Sequence, residues 1–142
     1  MKYPSLSSAK RRRQSGQAMA EFAMVGAAFF MLLFATMQAA EAVFTYNSIC
    51  EAAREAVRYA IVHGPSSPNP ATNSDIQQIA INAVPNLSLT ASNVTVNWPN
   101  DSKLPTKKDA QVTVTYNYAL SIPFTTAGTW TLSATSQMLV SQ

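Results

Sequence analysis

The stretch that decides the fold is Phe22-Ala23-Met24-Val25-Gly26-Ala27-Ala28-Phe29-Phe30-Met31-Leu32-Leu33-Phe34-Ala35-Thr36-Met37-Gln38-Ala39-Ala40, nineteen consecutive residues without a charge. That is about the length a helix needs to cross a hydrocarbon core roughly 30 Å thick. Just before it stand Lys10, Arg11, Arg12 and Arg13. The positive-inside rule therefore predicts a cytoplasmic N-terminus, with the chain beyond about residue 44 on the far side of the membrane. A secretory signal peptide opens in a similar way, but its apolar region usually runs only about 7–15 residues. The small residues Ala39, Ala40 and Ala42 also make a poor cleavage site, because a helical pattern runs straight through them.

Working outward toward the C-terminus, Ile49, Ala52, Ala53, Ala56, Val57, Ala60 and Ile61 repeat at the spacing of one helical face. Glu51, Arg54, Glu55 and Arg58 mark the opposite face, with Glu51–Arg54 and Glu55–Arg58 at the i, i+3 spacing of weak surface pairs. His63-Gly64-Pro65 is a stop signal: glycine can take the left-handed position after a helix, and proline cannot continue one. An unbroken helix over 17–63 would measure on the order of 70 Å at the helical rise. Residues 64–73, with Pro65, Pro68 and Pro70, read as a polar linker. Ser74-Asp75-Ile76-Gln77 then has the form of a capping box, opening a short helix whose apolar face is Ile76, Ile79, Ala80 and Ala83 and which Pro85 ends.

Beyond that helix the period changes to two. Val94 and Val96, then Val112, Val114, Tyr116 and Tyr118, alternate with polar residues, and 130–140 forms a third run of similar length. These are the strands of an antiparallel meander. Its packed face would use Tyr116, Tyr118, Trp98 and Trp130, leaving Ser, Thr and Asn on the exposed face. The fold class is α+β: a leader over 1–16, a helix over 17–63 that spans the membrane at about 20–44, and a head over 64–142. So thin a core gains from packing on the helical face at 49–61.

Charge and composition remove several functions. Five of the ten bases lie in the first thirteen residues; beyond Gly16 five bases face seven acids, leaving −2. No nucleic-acid interface is expected. The loop 99–109 carries Lys103, Lys107 and Lys108 but also two aspartates and two prolines, the composition of a solvated loop, and no glycine-rich phosphate loop or stacking motif accompanies it. One cysteine, Cys50, and one histidine, His63, exclude a disulfide within the chain and a Cys/His zinc site contained in it. Thirteen residues of helix, close to 20 Å, would separate the two, too far for a nucleophile and its base. No enzyme activity and no cofactor are expected. Cys50 reads as a small hydrophobe and His63 as a helix-terminal residue that can meet the last carbonyls. Asn86-Leu87-Ser88 and Asn93-Val94-Thr95 fit the N-glycosylation pattern, which recurs by chance in a chain so rich in Ser and Thr.

Glu21 stands at the entrance of the apolar run. A carboxylate at full membrane depth costs about 2.5–3.5 kcal/mol or more, and a plain anchor has no use for it. Cleavage after Gly16 would give Gln17 an α-amino cation, and Glu21 would be its partner in the same or a neighbouring subunit. Alternatively Glu21 sits at headgroup level, solvated and favoured by the positive end of the helix dipole.

Arg13-Gln14-Ser15-Gly16 followed by Gln17-Ala18-Met19-Ala20-Glu21-Phe22 resembles the processing site of type IV prepilins. With Phe44-Thr45-Tyr46-Asn47 and Ala52-Ala53-Arg54-Glu55-Ala56-Val57-Arg58-Tyr59-Ala60, the chain resembles the TadE-like family of pseudopilins, found in loci for tight-adherence (Flp) pili. The resemblance covers about residues 16–60. It implies a bacterial substrate of a prepilin peptidase, cut between Gly16 and Gln17, with Glu21 as the assembly charge. The sequence departs from the family pattern in lacking an early proline and in carrying Gln38, Glu41 and Ala56 where acidic, basic and glycine residues are common. These departures leave fewer reasons for the helix to kink.

The resemblance implies a minor pilin or pseudopilin in the inner membrane, its head periplasmic, passing into an extracellular pilus. Its partners would be the prepilin peptidase, other pilin subunits, the inner-membrane assembly platform and membrane lipid. The helix would pack laterally through Ala20, Ala23, Gly26 and Ala27. The alternative is a membrane-anchored binding module whose leader is never cut.

Overall fold

The computed structural model describes residues 7–65, 67–99, 109–121 and 128–140, with side chains from Gly16 onward. The loop lysines at 103, 107 and 108 and the first six leader residues lie outside the described residues. Helix α1 (Ser7–Val62) is 56 residues long and unbroken, about 84 Å at the helical rise. It begins inside the leader and carries the chain through the membrane-length segment and on into the head.

The head packs against the last third of α1. Helix α2 (Asn73–Ala83) follows the linker, and strands β1 (Val94–Asn97), β2 (Asp109–Leu120) and β3 (Gly128–Leu139) form an antiparallel sheet in that spatial order. The α+β arrangement and the meander follow the period change read from the sequence. Val94 pairs with Val114 and Val114 with Ala134, while the β2–β3 ladder runs from Asp109↔Leu139 to Leu120↔Gly128. Residues opposite one another share a face. Ala110, Val112, Val114 and Tyr118 of β2 are therefore buried toward α1, beside Ala134 of β3. From α1 come Ile49, Ala52, Ala53, Ala56, Val57 and Ala60, and from α2 come Ile76 and Ala80. The alanines let the helix axis approach the sheet closely, leaving Ile49 and Val57 to fill the space between.

The outer face of the sheet is a polar ladder. Thr113 and Thr135 hydroxyls meet at 2.9 Å, Gln111 Nε2 donates to Gln137 Oε1 at 3.2 Å, and Thr131 Oγ1 donates to Asn117 Oδ1 at 3.0 Å. Cross-strand pairs of this kind steady the register for a few tenths to about 1 kcal/mol each.

Four expectations need correction. The cap of α2 is Thr72, not Ser74: Thr72 Oγ1 accepts from Asp75 N–H at 3.2 Å, and the Asp75 carboxylate accepts from Thr72 N–H at 2.9 Å and from its hydroxyl at 2.7 Å. A charged carboxylate accepts more strongly than the Gln77 amide would. These bonds hold Asp75 below its ordinary pKa. Gln77 instead donates to Val94 O at 2.9 Å, tying α2 to β1. Trp130 lies on the packed face of the sheet but is 55% exposed. Among the described residues Glu51 pairs with Arg54 at 3.6 Å, whereas Glu55 and Arg58 line a shallow cleft beside His63 instead of pairing.

The fourth correction concerns Gly64. Its φ is not in the left-handed region; what it supplies is space, since a Cβ there would lie 2.5 Å from Val140 Cγ1. Val140 is buried and β-branched, so it cannot easily swing away. Gly64→Ala is expected to destabilise the head by about 1–3 kcal/mol through overpacking. Thermal unfolding of the full chain in detergent should then begin about 5 °C lower or more. Gly128→Ala, where a Cβ meets nothing within 4 Å, should leave the transition in place.

Candidate functional site

The residues proposed for processing and assembly all lie on the uncovered stretch of α1 between Gly16 and Ala27. The peptide bond between Gly16 and Gln17 is inside the helix. Gly16 weakens the helix there by about 1 kcal/mol relative to alanine. Gln17 and Glu21, one turn apart, are exposed and already joined: Gln17 Nε2 donates to Glu21 Oε1 at 3.1 Å. Glu21 thus stands over the helix turn that begins with Gln17.

Ala20, Ala23 and Ala27 are exposed and Gly26 is half-buried. At 3.6 residues per turn the four fall within about a third of the helix circumference. A Cβ added to Gly26 would touch nothing within 4 Å, so the stripe is open along its length. Around it Met19, Phe22, Met24, Val25, Phe29, Phe30, Leu32 and Leu33 are all exposed, Phe22 by 80%. A helix that is apolar on every side and covered on none is suited to lipid or to other apolar helices. Among the described residues it is the one helix long and apolar enough to cross a membrane.

Higher on α1 the surroundings change. Ala42, Thr45 and Ile49 face the sheet and are buried. At this junction lies a cluster that sequence reasoning missed. The hydroxyl of Tyr118, near the end of β2, is 3.0 Å from Gln38 Oε1, 3.4 Å from Gln38 O and 3.2 Å from Glu41 Oε2. A phenol carries one proton to donate, so these three acceptors compete for it. Burial, and then the hydrogen bond and charge of Glu41, push the Tyr118 phenol above its ordinary pKa. The signal in the sequence was slight: Tyr118 is the last aromatic of the inward alternation, and Gln38 and Glu41 are two of the departures from the family pattern.

Cys50 and His63 stay apart along one continuous helix. Cys50 is half-buried against the core and hydrogen-bonds Tyr46, an interaction that raises the Tyr46 phenol. His63 sits one residue past the helix end, its ring stacked on Tyr59 at 4.3 Å and its Nδ1 3.2 Å from Tyr59 O. With Nδ1 protonated it donates to a last-turn carbonyl, the terminal role expected of it. Asn93 caps a short 3-10 turn, its Oδ1 accepting from Thr90 N–H at 2.9 Å and from the Thr90 hydroxyl at 2.7 Å.

No curated protein and no solved structure matches this chain. Residues 16–58 match the family model described as TadE-like protein, which begins at Gly16 and spans the apolar segment and most of the sheet-facing stripe. Over that stretch of helix, from Gly16 to Arg58, the chain is similar to TadE-like proteins.

Proposed function

We propose that this protein is a prepilin-like subunit acting in assembly of a tight-adherence (Tad) pilus, as a minor pilin or pseudopilin. The observation that carries the reading is the family match over residues 16–58, which begins at the glycine of the processing motif. A prepilin peptidase cuts between Gly16 and Gln17 on the cytoplasmic side of the inner membrane. The amine so created complements Glu21, and the apolar helix exchanges lipid for the helices of other subunits through Ala20, Ala23, Gly26 and Ala27. The head over 64–142 stays periplasmic and enters the extracellular pilus with the helix. The protein performs no catalysis and holds no cofactor. Its work is that of a packed, charge-keyed rod with a folded end.

A head that engages an envelope component from an uncut anchor is the competing reading. The two separate on a cell fraction: with a tag after Gln142, the chain should be found in pili sheared from cells of its own host as well as in membranes. Retention wholly in membranes of a piliated strain would favour the tethered module.

A further inference from the structure

We propose that the membrane-proximal end of the β2–β3 ladder, which carries the Tyr118–Trp130 pair, is seated in the headgroup layer of the outer face of the membrane. The occupant of this surface is therefore lipid.

The hairpin lies alongside α1 and reaches down into the apolar run. At its far end Gly64 and Val140 abut, and at its near end Tyr118 meets Gln38 and Glu41. Between Trp130 and Val140 the strand covers about 33 Å; between residues 38–41 and 64 the helix covers about 35–39 Å. The two lengths agree, so β3 and α1 run side by side in the same direction. Leu120 and Gly128 lie two residues beyond Tyr118 and Trp130 in the ladder, about 7 Å nearer the membrane. That is the level of roughly residues 34–37 of α1, inside the nineteen-residue uncharged run. If the whole run to Ala40 lay in hydrocarbon, the end of a hydrogen-bonded sheet edge would lie there too, with its outer backbone groups unpaired. Placing Gln38 and Glu41 at headgroup level resolves the conflict and sets the end of the hairpin in the interface.

The side chains suit that layer. Trp130 pairs directly with Tyr118 on the helix-facing side of the sheet, yet it is more than half exposed, unlike its neighbours Tyr118 and Ala134. Phe44 and Tyr46, also exposed, lie about two turns above Gln38 on α1. Trp and Tyr concentrate where an apolar ring body and a polar tip can both be satisfied, at the membrane boundary. Among the described residues of this end (34–46, 116–120 and 128–132), Glu41 carries the one charge. With no base to seek acidic headgroups, the contact rests on apolar and aromatic burial, independent of salt.

This inference rests on the membrane reading of α1, and the test separates the two. The full chain is reconstituted in phosphatidylethanolamine/phosphatidylglycerol vesicles, and flotation reports whether α1 anchors it. The unmodified protein has two tryptophans at opposite ends of the head: Trp98 donates to Asn73 near the distal end, and Trp130 lies at the proximal one. Phospholipid brominated just below the headgroup should remove about half of Trp130 emission, as expected of an interfacial aromatic. Aqueous iodide should quench Trp98 alone. The unmodified chain must then show one lipid-quenched and one iodide-quenched population, and Trp98→Phe should retain the lipid-quenched one at low and high salt. A chain that floats while both tryptophans answer to iodide overturns the proposal and leaves the anchor standing. Trp130 shielded from both quenchers would mean that protein covers it, which also overturns the proposal. A chain that does not float ends the membrane reading, and this inference with it.

Discussion

Glu21→Gln should leave leader cleavage intact and reduce recovery of the protein in sheared pili by at least about tenfold, the change that follows from losing roughly 1.4 kcal/mol of pairing. The substitution keeps the shape of the side chain and its capacity to accept from Gln17 Nε2, the bond now 3.1 Å long. What it removes is the negative charge. In lipid surroundings the amine of a processed Gln17 would be left without its counter-charge, and breaking such a buried pair is costly even where forming one is nearly neutral. Processing is read from the N-terminus of the membrane-bound protein, and incorporation from its ratio in sheared pili to membranes. Glu21→Asp, shorter by one methylene, should recover part of the incorporation because the charge is retained. Normal recovery of the glutamine variant would remove the charge-pairing mechanism and leave the likeness to TadE-like proteins over residues 16–58 untouched.

The largest loss of stability from one core residue is expected at Ile49. Its side chain is fully buried where α1 meets the sheet, in a core otherwise built largely from Ala and Val. Ile49→Ala should cost about 2–5 kcal/mol, made up of lost transfer energy and a cavity that the hydrogen-bonded strands cannot collapse to fill. In a head with so thin a core this is a large share of a total that rarely exceeds about 5 kcal/mol for a small unit. Denaturant unfolding of the full chain in detergent, followed by near-ultraviolet circular dichroism of the head, should shift to a much lower midpoint. Phe29→Ala, equally drastic in volume but on the exposed apolar face of α1, should leave that midpoint unchanged. An equal shift for both would mean that the head does not depend on the α1 face at Ile49.

How much was legible in the sequence depended on whether the determinants were local. The long helix, the sheet-facing stripe from Ile49 to Ala60 and the three strands could be read because period and punctuation lie in consecutive residues. The sequence alone puts the cap of α2 two residues late because Thr72-Asn-Ser-Asp75 and Ser74-Asp-Ile-Gln77 both carry plausible caps, and side-chain charge decides between them. Gly64 looks from the sequence like a conformational residue, although what it provides is room for Val140, which is 76 positions distant in the chain. The exposure of Trp130 and the Tyr118 contacts with Gln38 and Glu41 depend on how far the hairpin reaches along α1. That distance follows from matching strand rise to helix rise once the elements are docked. Gly16, Gln17 and Glu21, the residues proposed for processing and assembly, lie within six positions of one another, so the motif they form can be picked out before the fold is known.

Whether this chain is processed as a prepilin is read from the N-terminal sequence of the mature protein. The protein should be taken from membranes of its own host, with and without the prepilin peptidase. The expected start is Gln17 in the presence of the peptidase and Met1 in its absence. A start at Met1 in both strains would contradict it in favour of a tethered module, and a start near Ala42 would contradict the membrane reading as well.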